Sequence, residues 1–309
     1  MRLGESKVPQ VGRPIYVERL ISAPMDALWN ATQSPEDHER WDLRFTEISY
    51  IPRATDTEPQ RFLYATRIGF GVRITGEGES VGTAERNGDR TSALRFWSDD
   101  RKSLIQKGSG YWRYAPSAAG IRFITQYDYE TRFGIAGRAL DLGFRPLLGW
   151  ATAWSFDRLR LWLERGAEPA EMLERSIVHW IARGALAFIW LYHGIVPKLL
   201  AQAGEIDLSE RAGVSASLAA TFVIGAAVLE IALGLGLIAA RDPRPLLALS
   251  SALAIGLALV TSARIPELVG APFQPITLGV AMVGLAAVAF RSYYQLPGAR
   301  NCLRKAPAK

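Results

Sequence analysis

The chain has 309 residues, 49% of them hydrophobic and 21% charged, with a formal net charge of +6. These averages conceal a division: residues 1–175 hold 25 Lys and Arg against 24 Asp and Glu, whereas residues 176–309 hold 11 and 6. That excludes one uniform soluble domain and a disordered chain, and a single cysteine, Cys302, excludes an intrachain disulfide or a thiolate metal cluster.

Five of the six net charges fall in the apolar part, where they read as topology signals rather than a phosphate-binding patch, so no nucleic-acid partner is expected. Residues 1–11 form an N-terminal tail without an apolar h-region, so no cleavable signal peptide is expected there. IYVERLI (15–21) alternates and predicts a strand. Pro24 then opens one or two short helices over 24–40. Strands are predicted at 45–51, 61–68, 71–80, 91–98, 109–116 and 120–130, with Asn87-Gly88 as a hairpin turn. In the last strand Ile121, Phe123, Thr125, Tyr127 and Tyr129 share one face. A long amphipathic helix at about 137–165 puts Phe144, Leu148, Ala151, Ser155, Leu159 and Trp162 on its apolar side, with Asp157, Arg158, Arg160 and Glu164 for the wet side.

The economical packing is one curved antiparallel sheet around one long C-terminal helix, an α+β helix-grip domain over residues 12–166. IYVERLISAPMDALWNATQSPEDHERWD (15–42) and WSFDRLRLWLERG (154–166) resemble the START/polyketide-cyclase-like (SRPBCC) superfamily. That resemblance implies a cavity for a lipid or other apolar molecule and carries over no catalytic residue. The inward aromatics Tyr64, Phe96, Trp112, Phe123 and Tyr127, with Phe144 and Ser155 from the helix, are the expected cavity lining, each with core packing as its plainer role. Trp29 and Trp41 read as structural.

After a short charged linker (167–176), four apolar stretches, uncharged apart from Arg183, Lys198 and Glu230, predict an all-α four-helix transmembrane bundle over 177–292, with helices at about 177–199, 216–240, 245–263 and 273–290. A basic tail (293–309) follows, in which Cys302 reads as an exposed thiol. Arg and Lys concentrate before the first helix, in the loop with Arg241 and Arg244, and in the tail, so both termini are expected on the cytoplasmic side of the inner (plasma) membrane. Arg183, His193, Lys198 and Glu230 form an expected intramembrane polar site, with an Arg183–Glu230 pair inferred from their depths. Its alternatives are a ligand or proton site and a structural ion pair.

Arg183, the His193-Gly194 and Lys198 pattern, LEIALGLGLI with Glu230, and IPELVGAPFQP resemble a DoxX-like four-helix membrane protein over about 175–292. This implies that a quinone-type site and a membrane redox partner are open to the chain. No phosphate loop, nucleophile elbow or zinc motif occurs, His38, His179 and His193 cannot converge on one metal, and no cofactor is expected. The reading is a membrane-anchored binding protein for an apolar small molecule or lipid; a redox accessory and a cyclase-like enzyme are its alternatives.

Overall fold

The computed structural model describes residues 13–307 apart from Asp56, Gly69 and Phe273. Strand β1 (Ile15–Ile21) is followed by helices α1 (Met25–Gln33) and α2 (Pro35–Trp41), then by a meander of β2 (Glu47–Tyr50), β3 (Arg61–Arg67), β4 (Arg73–Arg86), β5 (Asp89–Trp97), β6 (Ile105–Ser117) and β7 (Gly120–Thr131). The seven strands make one antiparallel sheet in the order β1-β7-β6-β5-β4-β3-β2. Helix α3 (Gly134–Arg165) follows, and the sheet and this helix are the helix-grip arrangement. The expected alternation on β7 is realised: Ile121, Phe123, Thr125, Tyr127 and Tyr129 are all buried on the concave face.

Two charges expected on the wet side of α3 are instead buried. Asp157 has no exposed surface because the C-terminal segment returns to this domain: Asp157 Oδ2 accepts from Gly298 N (2.9 Å) and Asn301 Nδ2 (2.6 Å). Its Oδ1 pairs with Arg160 (2.8 Å) and Arg19 (3.2 Å). The Arg158 guanidinium donates to the Pro169 carbonyl from Nε (2.9 Å) and Nη2 (2.5 Å), and burial lowers its pKa to about 10. Leu303 and Glu18 exchange backbone hydrogen bonds (2.9 and 3.0 Å), so the tail satisfies the free edge of β1. Cys302 is buried rather than exposed, its thiol donating to Ala153 O at 3.2 Å, and burial pushes its pKa up to about 12.

The chain divides into two compact units, one holding the residues up to Met172 and again from Pro297, the other Leu173–Leu296. The boundary falls inside α4 (Pro169–Ile195), so most of the stretch expected as a linker is helical. A π-helical turn (Val196–Leu200) follows α4, and α5 (Gln202–Arg211) leaves it at 96°. Pro197 supplies the cause, since it lacks the N–H that would continue the α-helical ladder. Then come α6 (Ala216–Ala239), α7 (Arg244–Arg264), a 3-10 turn (Pro266–Gly270) and α8 (Pro275–Ser292). Among the described residues three helices, α6, α7 and α8, are long and apolar enough to cross a membrane, and the bent pair ending at Arg211 makes a fourth when counted as one broken span. Their packing relies on small residues. A Cβ at Gly194 would sit 3.0 Å from Ala227 O, and one at Gly234 3.0 Å from Ala187 O, so α4 and α6 approach closely at both.

Candidate functional site

The concave face of the sheet is built from aromatic side chains and glycines in register. Tyr64 faces Gly76, Phe62 faces Gly78, Phe96 faces Gly108 and Tyr127 faces Gly110. The rings of Phe62, Tyr64 and Phe96 lie over the glycine opposite, where a Cβ would overlap them. These rings fill the space that a side chain at each glycine would take, so the surface over β3 to β6 is aromatic. Helix α3 covers the β7 part of this same face: Phe156 stacks on Phe123 with centroids 4.3 Å apart.

A charged cluster sits at the junction of α2 and β2 within this aromatic surround. The Asp42 side chain is fully buried; it accepts from Arg44 Nη2 (2.6 Å), Arg44 Nε (2.9 Å) and Arg44 N (3.0 Å). His38 Nε2 lies 3.0 Å from Asp42 Oδ2, an i,i+4 contact along α2 and its C-cap. Trp41 stacks on His38 (5.0 Å), and Trp112 and Phe45 meet its edge at 5.0 and 5.2 Å. The Arg44 guanidinium lies 5.5 Å from the Tyr127 ring centre. Burial alone would raise the Asp42 carboxyl, but the Arg44 charge and the hydrogen bonds from His38 and Arg44 outweigh it and hold the group well below the usual carboxylate range. Burial raises the Tyr64 phenol to about 12 and raises Tyr127 as well, so both remain protonated hydrogen-bond donors at neutral pH.

Of the expected lining, Trp112, Phe123 and Tyr127 are buried together on one face, and Tyr64 and Phe96 lie half-buried farther across it. Tyr127 meets Thr152 of α3 at 2.8 Å, and Tyr64 packs edge-on against Phe45 at 5.5 Å. Phe144 and Ser155 stand apart from this group. Phe144 meets only Tyr129 among the described rings, at 6.2 Å, and Ser155 Oγ accepts from Leu43 N at 2.9 Å, fastening the segment that carries Asp42. His38, Asp42 and Arg44 were not anticipated. Their signal was the run HERWDLR, where charges crowd a tryptophan that has to be buried.

In the second unit the expected Arg183–Glu230 pair does not form, and the four polar residues separate into two groups. Arg183 Nη2 donates to Ala240 O (2.7 Å) and Ile238 O (3.3 Å), and Nε donates to Leu237 O, so the guanidinium satisfies the last carbonyls of α6. It also lies 4.6 Å from the Trp180 ring centre and 3.5 Å from His179 Nε2. Glu230 instead pairs through Oε1 with Lys198 Nζ at 3.2 Å, and Lys198 bridges to Glu205 Oε2 at 3.3 Å. His193, on α4 one turn before Lys198, packs against Tyr192 at 6.0 Å. Glu230 is 6% exposed, and its Oε2 meets no hydrogen-bond partner among the described residues. No group of three or more His, Cys, Asp or Glu side chains among the described residues is arranged to hold a metal ion.

Residues 187–287 match the model of the DoxX-like family. Over 203 residues the chain is 44% identical to the uncharacterized membrane protein YndG of Bacillus subtilis (strain 168), an alignment covering 64% of this chain and 75% of that protein. Among solved structures, the di-domain ARO/CYC StfQ from the steffimycin biosynthetic pathway is similar at 15% identity and a TM-score of 0.39, over 49% of this chain and 50% of that one. This chain thus spans half the length of StfQ. A STAR-related lipid transfer protein fragment from Xanthomonas axonopodis is similar at 16% identity and a TM-score of 0.37, over 52% of this chain and 97% of that one.

Proposed function

The chain belongs to the membrane-protein family of Bacillus subtilis YndG, and we propose that it is a membrane-anchored binding protein that holds an apolar small molecule or lipid on the concave face of its first unit. One observation carries this reading: the aromatic surface whose rings fill the space above facing glycines, bordered by the buried Asp42–Arg44 pair. An apolar ligand gains from the rings by burial of its surface, and one with a polar end gains a fixed charge pattern at one edge. The expected lining residues Tyr64, Phe96, Trp112, Phe123 and Tyr127 remain in this proposal; Phe144 and Ser155 serve as supports. The placement that accompanies it is multi-pass in the inner (plasma) membrane with both termini cytoplasmic, motivated by the distribution of Arg and Lys.

The test is a tryptophan-fluorescence titration of the full chain in nanodiscs with a fluorescent fatty acid, alongside mass spectrometry of what copurifies. Energy transfer from the tryptophans should saturate and fall when Trp112 is replaced by Phe, and Gly76→Leu, which drives a side chain into the Tyr64 ring, should weaken binding at least tenfold. A signal that never saturates, with no apolar compound copurifying, removes the proposal.

A second reading is favoured by the unpartnered Oε2 of Glu230: the Lys198–Glu230–Glu205 group, with His193 beside it, receives a proton or a hydrogen-bond-donating ligand. Infrared difference spectra of the full chain should then show a carboxyl band that Glu230→Gln abolishes and Glu205→Gln leaves. A band unaffected by Glu230→Gln rules that out.

A further inference from the structure

The first half of α3 is amphipathic in the reverse of the usual sense. Its charged side chains Asp141 and Arg145 turn inward: Tyr129 donates to Asp141 at 2.6 Å, and Arg145 pairs with Asp141 (2.8 Å) and Asp128 (2.7 Å). Arg138 apart, its outward side chains are apolar, with Ile135 85% and Leu142 81% exposed and Leu140, Leu147 and Trp150 exposed as well. A soluble helix places these the other way round. A second segment presents the same character at the same end of the sheet. The β3–β4 turn, closed by Arg67 opposite Arg73, carries exposed Ile68, Phe70 and Val72. Hydrogen bonds join it to the root of α3: Ser98 Oγ donates to Thr75 O at 2.6 Å, and Arg132 donates to Ser98 O and, from its backbone, to Leu104 O at 2.7 Å. Phe133, next in the chain, is exposed too.

Cationic side chains fringe this apolar end. A groove of about 520 Å³ beside Leu142 is lined by Arg13, Arg138, Arg145 and Arg304, with Asp141 its one carboxylate. Among the described residues Arg101 and Arg138 have no ion-pair partner, and Arg304 donates to the Pro146 carbonyl at 3.1 Å.

We propose that this end of the first unit is a membrane-docking surface, seated in the headgroup layer of an anionic bilayer with the β3–β4 turn and the outer face of α3 entering the acyl boundary. Two sequence-distant segments with exposed large apolar side chains at one end of a domain exceed what single exposed residues account for. An apolar helix face edged by Arg, with Trp150 among the exposed rings, has the composition of an interfacial helix. The guanidinium groups reach lipid phosphates while their stems lie along the apolar surface. The bilayer is favoured over a protein partner because the same chain carries membrane-crossing helices, which keep a bilayer at high local concentration. The proposal does not depend on a ligand occupying the concave face.

The test is site-directed spin labelling of the full chain in nanodiscs of phosphatidylcholine, with and without phosphatidylglycerol. Labels go on Leu142→Cys and Ile135→Cys, with Ala118→Cys in the turn between β6 and β7 at the other end of the sheet as the reference. Cys302 does not interfere, because a buried thiol with a pKa near 12 stays unreactive at neutral pH, and the unmutated chain serves as the blank. Labels at 142 and 135 should be accessible to oxygen and shielded from a polar nickel chelate, with a ratio several-fold above that at 118. Phosphatidylglycerol should raise the ratio further, and Arg138→Glu should reverse that gain. Access to both reagents, as at 118, would mean a solvated face and would overturn the proposal. Exclusion of both would mean that protein covers the face, either another part of this chain or a second copy, and would overturn it equally.

Discussion

Replacing Asp42 with Asn keeps the shape of the side chain and removes its charge. The folded chain gives Arg44 no other carboxylate among the described residues, and its side chain is only 12% exposed. Removing one partner of a buried pair costs about 3–5 kcal/mol, because the remaining charge stays desolvated. A domain of this size shifts by roughly 2–4 °C per kcal/mol, so the first unit should lose about 10 °C in midpoint. The assay is near-ultraviolet circular dichroism of the full chain in detergent, which reads the tryptophans packed around His38. The pH dependence has a definite sign. Burial raises the Asp42 carboxyl, Arg44 and His38 overcome that, and the net folded pKa lies below the ordinary value near 3.9. Such a group stabilises fully above its unfolded pKa and loses its contribution as pH falls through the folded one. The gap between wild type and Asp42→Asn should therefore be flat from pH 7 down to about 5 and close only below about 4. Asp42→Asn with Arg44→Met should recover most of the loss. A single-variant cost below about 1 kcal/mol, or a double variant no better than the single, would refute the assignment of Asp42 and Arg44 as a desolvated pair.

Three further outcomes follow from the packing. Lys198→Met strips the cation between Glu205 and Glu230 and should destabilise the second unit by about 3–5 kcal/mol in a thermal scan, with Glu230→Gln in the same chain restoring part of it. Gly234→Leu drives a side chain into Ala187 O and Leu191 and should cost at least about 1–3 kcal/mol by the same scan, whereas Gly184→Ala, with open space around it, should stay within about 0.5 kcal/mol. Cys302 should resist maleimide at pH 8 in the folded chain and react on denaturation, since burial both covers the sulfur and keeps it protonated; rapid labelling of the native chain would contradict the docked tail.

The elements legible in the sequence are those whose solvent imposes a period. Alternation on β7 and the long apolar runs of α6, α7 and α8 reflect one buried face and a lipid surround, and both are local properties of the chain. What could not be read was set by distant segments. Asp157 and Arg158 belong to the wet side of α3 until Asn301 and Pro169 cover them. The Arg183–Glu230 pair was inferred from depths along helices with assumed ends, yet α4 begins at Pro169 rather than near 177. This sets Arg183 level with Leu237 and Ala240, while the π turn at Pro197 carries Lys198 to Glu230. The Asp42 cluster depends on three residues within seven positions, but its meaning comes from Trp112, Tyr127 and Ser155, which the fold brings from elsewhere.

The buried charges then sort themselves by how completely they are satisfied. Asp42 engages both oxygens, Asp157 engages both, and Arg183 donates to the carbonyls that end α6, so each explains its own burial by fixing a loop, a tail or a helix end. Glu230 does not: Lys198 takes one oxygen, and the other is enclosed with no donor among the described residues, although a lone carboxylate oxygen in a low-dielectric bundle is expensive to leave so. A purely structural ion pair would gain from a second donor. The incomplete satisfaction of Glu230 is the observation behind the proposed proton or ligand position, and the infrared comparison of Glu230→Gln with Glu205→Gln separates that reading from helix-to-helix fastening.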